Sequence, residues 1–524
     1  MLHLSLKINL PILYNKRLNK FFLSGIVLLA GMSQSCKLTT GSAIESEQRP
    51  NIIFLLSDDQ RWDCFSYSNP YIKTPNCDQL AKEGVIFTNS HHAVPACQPN
   101  RASIQLGRYM GSHMCSFSKP TDYTITRKEY DQSYPAILRT SGYYTGFVGK
   151  FGFPVSENKI KNVDYPGGQR STPSQKWLQD EFMPSEYFDV WYGYAGQGKY
   201  DTYGEEGHLT KVNGDKAIDF LRKARKQERP FCLSVSFKAP HGPFNYVDPR
   251  FEKWYENEEI PRAINDRKEY KDLLPEVVRT RFRGRNGYES EEEYLDFIRA
   301  YYGLISGVDD VVGRIRHELE KLGMDENTII IYTSDNGYFC GSKQLKGKVL
   351  LYEESLRAPL IIYNPALKRN QMNRTVDELI SVIDIAPTIL DLCDINIPAI
   401  YQGSSFKSMI TGSEIPIRDF VFAENNFNSF VASTENGELG EDEIAALKAR
   451  GTIRSKVIRT KEYKYLRYHE TEPIVEELWN IIDDPLEIKN LVNDPGHSKV
   501  LDDLGERCDA MIKANKEHAE KFAN

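Results

Sequence analysis

From Arg49 onward, short runs of consecutive apolar residues alternate with segments whose apolar positions recur every three or four residues. The stretch from Asn51 to Leu56 is apolar almost throughout and stops at Asp58-Asp59, the pattern of a strand buried on both faces. Thr74 to Gly84 predicts a helix with Thr74 as its cap, Pro75 at its first position and Gly84 as its stop. Tyr134 to Lys150 predicts a helix, a glycine stop and a strand ending at Lys150. Pro230 to Phe244 predicts a strand ending at His241, and Asp309 to Gly337 an amphipathic helix, a turn and a strand ending at Asp335. Apolar strands separated by helices need a mostly parallel sheet covered on both faces, an α/β fold.

After Pro398 the period changes to two. Lys456 to Val492 predicts a small antiparallel sheet with one face in water, followed by a terminal helix from about Ser498. The chain therefore divides into an α/β domain at 49–400 and a C-terminal sheet-and-helix subdomain at 401–524. Asp248 to Glu292 is rich in charge and reads as a surface insertion.

The first 36 residues follow neither pattern. A basic flank (Lys16, Arg17, Lys20) precedes an apolar run from Phe21 to Met32, too short to span a bilayer comfortably, and small residues end at Cys36. This is the layout of an export signal, and Ser33-Gln34-Ser35-Cys36 resembles a bacterial lipobox. Cys36 is expected to carry lipid, making the protein an exported periplasmic or outer-membrane lipoprotein. The nine cysteines show no paired spacing, so at most one or two disulfides are expected. A net charge of −7 gives no basic surface for nucleic acid.

Four apolar runs end in candidate ligands: Asp58-Asp59, Lys150, His241 and Asp335-Asn336. Sites in open α/β sheets form beyond the carboxyl ends of strands, so these four ends are expected to share one crevice.

Motifs in the same segments resemble the formylglycine-dependent sulfatases of the alkaline phosphatase superfamily. Cys97-Gln98-Pro99-Asn100-Arg101 matches the family's C-x-P-x-R signature, and Leu106-Gly107-Arg108 its T-G-R with Leu106 in place of Thr. The acidic pairs at Asp58-Asp59 and Asp335-Asn336, the APHGPF loop around His241 and the GKVLLYEESLRAPLII loop around Lys348 follow in family order. The segments IDIAPTILDL and ELWNIIDDPLEIKNL match its late landmarks. The resemblance covers Asn51 to about Leu491 and implies an alkaline-phosphatase-like α/β/α sandwich with a smaller C-terminal α+β domain.

It also implies the chemistry. A maturation enzyme oxidises Cys97 to formylglycine, whose hydrate has two hydroxyls on one carbon. One attacks sulfur, and the second expels sulfate as it loses its proton. Asp58, Asp59, Asp335, Asn336 and the modified Cys97 would hold Ca2+, with Mg2+ as a substitute, since these are hard oxygen donors. Lys150 and Lys348 would hold sulfate oxygens and Arg101 would orient the diol. His241 would touch the sulfate and protonate the leaving oxygen. The substrate implied is a sulfated glycan; the sugar, the sulfate position and endo or exo action are not encoded in these motifs. A phosphomonoesterase or phosphodiesterase of the same superfamily is the alternative, as is an inactive glycan-binding homologue. One departure bears on the proton path. The family commonly has Lys-x-His where this chain has Lys150-Phe151-Gly152, and His91, His92 or His113, which flank the Cys97 segment, are candidates to replace the missing histidine.

Overall fold

The computed structural model describes residues 49–116, 123–161, 181–201, 207–427 and 453–522. The leader and Cys36 lie outside them. Residues 48–524 form one compact unit. Its centre is an eight-stranded sheet built from β1 (Asn51–Asp58), β2 (Val85–Phe87), β3 (Tyr144–Lys150), β4 (Val190–Tyr194), β5 (Phe231–Pro240), β6 (Thr328–Ser334), β7 (Leu360–Tyr363) and β8 (Arg374–Val376). Their spatial order is β8-β2-β7-β6-β1-β5-β3-β4. Every pairing is parallel except those of β7 with β2 and β6. All eight residues of β1 are buried, as the unbroken apolar run requires.

Helices cover both faces. On one side α1 (Pro75–Glu83), α4 (Leu209–Ala224) and the 32-residue α5 (Glu291–Leu322) pack Leu80, Phe220 and Val308 against Ile53, Leu55 and Val235. On the other, α2 (Cys97–Leu106) and α3 (Tyr134–Thr140) bring Ile104, Tyr134 and Leu138 to Ile52, Phe54 and Leu56. Alternate residues of β1 thus serve opposite cores. Thr74, Pro75 and Gly84 bound α1 as expected, although the Thr74 hydroxyl accepts from the Ser66 backbone rather than capping the helix.

The four-stranded antiparallel sheet is β9 (Phe420–Asn425), β10 (Ser455–Thr460), β11 (Tyr463–Tyr468) and β12 (Val475–Asn480), followed by α6 (Ser498–Lys521). Its expected wet face is not there. Ile458, Tyr465 and Leu478 join the core under α6 with Leu504 and Cys508, while Val457, Leu466 and Trp479 pack on Leu350, Leu351 and Tyr352 of the Lys348 loop. Period two marks alternation, but alternate residues here meet two different apolar covers. The charged stretch 248–292 is also more than a surface insertion. It holds three short helices and buries Tyr255, Ile260 and Val278, because its few apolar residues pack on α5 and the Lys348 loop. None of the eight described cysteines is joined in a disulfide.

Candidate active site

Cys97 is the first residue of α2, entered from the extended Ala96 and closed at Gly107, whose φ of 61° is the left-handed stop that glycine favours. Its Sγ lies 3.2 Å from Asp58 Oδ1, 3.9 Å from Asp59 Oδ1 and 2.6 Å from Lys348 Nζ. Burial, reinforced by Asp335 and Asp58, pushes the Cys97 thiol well above its ordinary pKa. A protonated thiol is a poor nucleophile.

The ends of four strands converge around it. Lys150 at the end of β3 places Nζ 2.5 Å from Asp58 Oδ2. Lys348 ion-pairs with Asp59. Asp59 turns out of β1 with φ 68°, a left-handed conformation that Asp tolerates better than most residues. The turn is held from both sides: the Asp59 amide donates to Asp335 Oδ1 (3.2 Å) and its carbonyl accepts from the Tyr301 hydroxyl (2.6 Å). His241, just past β5, sits with Nε2 3.9 Å from Asp59 Oδ2.

Arg101 lies one helical turn after Cys97 and so shares its face. It donates from Nε to Asp335 Oδ2 (2.7 Å) and from Nη1 to the Lys150 carbonyl (2.9 Å) and the Ser236 hydroxyl, with Nη2 3.3 Å from Asp58 Oδ2. One side chain thereby ties α2 to β1, β3, β5 and the turn after β6. Asn100 adds a second tie, donating to the Asp335 carbonyl at 2.6 Å.

All the residues expected from the strand ends and motifs are therefore brought together. The three candidate histidines are not. His91 faces Asn89 and Glu353, His92 accepts from Asn100, and His113 pairs with Ser103 and the Cys115 amide. Burial lowers all three, His92 to about 3, and each ring is tied to structural partners. Nor does position 152 have room for an imidazole. Gly152 has φ 94°, and a Cβ built there would lie 2.5 Å from Arg101 Cδ.

Asp58, Asp59 and Asp335 balance Lys150, Lys348 and Arg101. Burial opposes ionisation of Asp58, yet Lys150, His241, Arg101 and Lys348 together hold it well below the ordinary carboxylate range. Burial dominates at Asp59 and Asp335 and raises both. His241 is pulled down to about 3, chiefly by burial. Asn336 donates to Asp59 Oδ1 (2.7 Å) and the Gly337 carbonyl (2.9 Å), leaving its buried Oδ1 without a hydrogen-bond partner. Such an oxygen beside carboxylates suits a hard cation. The ligand atoms of Asp58, Asp59, Cys97 and His241 lie within 4.8 Å of one another. The two oxygens of Asp335, beside that group, are engaged by Arg101 and the Asp59 amide.

Three supporting residues escaped the sequence. Lys238 donates to the Gly242 carbonyl (2.9 Å), the Tyr200 hydroxyl donates to the His241 carbonyl (2.6 Å), and Gln197 Oε1 accepts from Lys150 Nζ (2.7 Å). A lysine inside the fully buried β5 was a legible signal. Gln197 and Tyr200 carry none, since they fall in an irregular segment.

A family model described as Sulfatase matches residues 50–395. The chain is 28% identical over 481 residues to an arylsulfatase of Clostridium perfringens, covering 87% of this chain and 93% of that protein. It is 26% identical over 534 residues to an N-acetylglucosamine-6-O-sulfatase of Bacteroides thetaiotaomicron, covering 90% and 88%. A solved structure of a protein in complex with its substrate D-glucosamine-2-N,6-O-disulfate superposes with a TM-score of 0.69 at 23% identity, covering 91% of this chain and 99% of that one. That likeness extends the fold across both sheets.

Proposed function

This chain belongs to the sulfatase family and is a sulfuric ester hydrolase; on that premise we propose that it cleaves sulfate esters of a sulfated saccharide with a formylglycine made from Cys97. The observation that carries the reading is the packing of Cys97 Sγ against Asp58, Asp59 and Lys348 at the strand ends. Sγ stands where one oxygen of the hydrated aldehyde would lie, and the two oxygens carried by the β-carbon supply the attacking and the expelling groups. Lys348 and Lys150 hold the sulfate oxygens and offset their charge, Lys348 at the nucleophile and Lys150 across Asp58 from it. Arg101 orients position 97 through Asp335 and Asp58. His241 protonates the leaving oxygen, its ring steadied by Nδ1 lying 2.8 Å from the Gly242 carbonyl. A sulfate bound beside the ring adds the negative charge that favours the protonated form.

The family generally uses Ca2+, and the residues fit it: Asp58, Asp59, Asp335, Asn336 and position 97 would hold the ion. Bound there, Ca2+ would neutralise the carboxylates and leave both ammonium groups free for sulfate. The glycan assignment draws on the N-acetylglucosamine-6-O-sulfatase likeness. The test is sulfate release from a panel of sulfated sugars by matured protein, beside phosphate release from the matching phosphates. Sulfate release is expected, and phosphate release alone overturns the reading.

We also propose export with lipid attachment at Cys36, supported by the basic and apolar leader before it. No helix among the described residues is long and apolar enough to cross a membrane. Cys36→Ala should move the protein from the membrane fraction to the soluble one; an unchanged distribution rejects the anchor. The maturation enzyme is the partner this mechanism requires at the Cys97 segment.

A further inference from the structure

The landmark segment around Pro485 and Glu487 takes no part in the chemistry above, yet its glutamate is fully buried beneath the loop that carries Lys348. Lys464 of β11 donates to Glu487 Oε1 (2.5 Å) and Glu353 Oε1 (3.0 Å), and neither Lys464 nor Glu487 has solvent exposure. Glu487 Oε2 accepts from the Glu353 amide (3.1 Å) and faces Lys343 Nζ at 3.5 Å. Lys343 continues to Glu354 Oε1 (3.1 Å) and the Leu486 carbonyl (2.6 Å), and Asn265 donates to the same Glu354 oxygen at 3.0 Å. Arg459 lies 3.7 Å from Glu353. Three cations and three carboxylates are thus buried together, balanced in charge.

Burying six charges adds little stability over an apolar core. What this cluster does is fix the turn Glu353–Leu356 against β11 and the Glu487 segment. That turn supports the active site twice. Its Ser355 carbonyl accepts from the Gly337 amide at 3.0 Å, next to Asn336, and its Ser355 hydroxyl accepts from the Val349 amide at 3.1 Å, next to Lys348. Val349 has φ 80°, an outlier for a β-branched residue that persists only where its surroundings enforce it. Cys340, Gly341, Lys343, Gln344 and Gly347 are also left-handed, so this loop does not adopt its path by local preference.

We infer that Glu487, Lys464 and Lys343 are positioning residues for Lys348, acting through the Glu353–Leu356 turn, so that the C-terminal sheet sets the sulfate-holding lysine. The inference rests on the role proposed above for Lys348. It is tested by a double-mutant cycle on matured, Ca2+-loaded enzyme: wild type, Glu487→Gln, Lys348→Ala and both together. Two quantities are read, kcat/KM with 4-nitrophenyl sulfate and affinity for inorganic sulfate by calorimetry. Glu487→Gln is expected to lower each about tenfold in the wild type and by less than twofold in Lys348→Ala. A merely structural role would lower the melting temperature equally in both backgrounds and multiply the losses, which would overturn the inference. Should Glu487→Gln not fold, Asn265→Ala at the other end of the cluster is read in the same cycle with the same expectation. Inactive wild type that still binds sulfate would count against the hydrolase reading, while the affinity cycle would still decide this one.

Discussion

Gly152 leaves open the space that the Arg101 side chain occupies: a Cβ at 152 would stand 2.5 Å from Arg101 Cδ and 3.3 Å from its Nε. The absence of the histidine and the place of the arginine are therefore one feature. Restoring a side chain at 152 requires both a left-handed conformation and displacement of the group that reaches Asp335 and the Lys150 carbonyl. Gly152→His should lower stability by about 1–3 kcal/mol and reduce sulfate release rather than raise it. Thermal melting and steady-state rates check this, and a histidine variant at least as active as wild type would refute it.

The proposed role of Cys97 requires its conversion. Burial, with Asp335 and Asp58, drives its pKa up, which favours the protonated thiol, a poor nucleophile. Mass spectrometry of the Cys97 peptide from a host with the maturation enzyme should give less than the encoded mass, and the peptide should react with aldehyde reagents. Cys97→Ala should fold and release no sulfate. Fully active protein with an unmodified thiol would reject the mechanism.

The unpartnered Oδ1 of Asn336 makes a prediction about the ion. Chelation should abolish sulfate release, and Ca2+ should restore it. Asn336→Ala should weaken Ca2+ binding by calorimetry roughly tenfold or more, on the scale seen when a metal site loses support. Restoration by Zn2+ alone would point to phosphatase chemistry instead.

Glu477 offers a test of the C-terminal core by pH. It is buried and accepts from the Tyr352 hydroxyl at 2.9 Å, and burial foremost, with Glu487 adding, raises it to about 8 against the opposing pull of Lys343. An unfolded Glu titrates near 4.3, so between roughly pH 4.3 and 8 the native state holds one more proton than the unfolded chain. Stability then falls as pH rises through that window, by about 1.4 kcal/mol per unit from this group. Glu477→Gln keeps the shape and removes the titration. Denaturant unfolding of the variant should show a shallower loss between pH 5 and 8 and higher stability at pH 8; an unchanged slope would assign it to other groups.

Much of this was local and therefore legible. Unbroken apolar runs marked strands buried on both faces, and because a run must stop where charge begins, Asp58, Lys150, His241 and Asp335 were found at strand ends before any fold was known. Arg101 follows Cys97 by one helical turn, a spacing that puts both on one face wherever the helix lies. The rest depended on segments hundreds of residues apart. Val457 and Ile458 are neighbours on opposite faces of a strand whose segment reads as half-wet, but α6 and the Lys348 loop cover both sides. His91, His92 and His113 sit near Cys97 in the chain, yet strand pairing and helix packing turn their rings to Glu353, Asn100 and Ser103. Gly152 reads as a lost histidine in the sequence, whereas in the fold Arg101 fills its space. Sequence fixes which residues are polar and with what period; only packing decides which polar group each one meets, because burial and Coulomb interactions act through space over a few ångströms, whatever the separation along the chain.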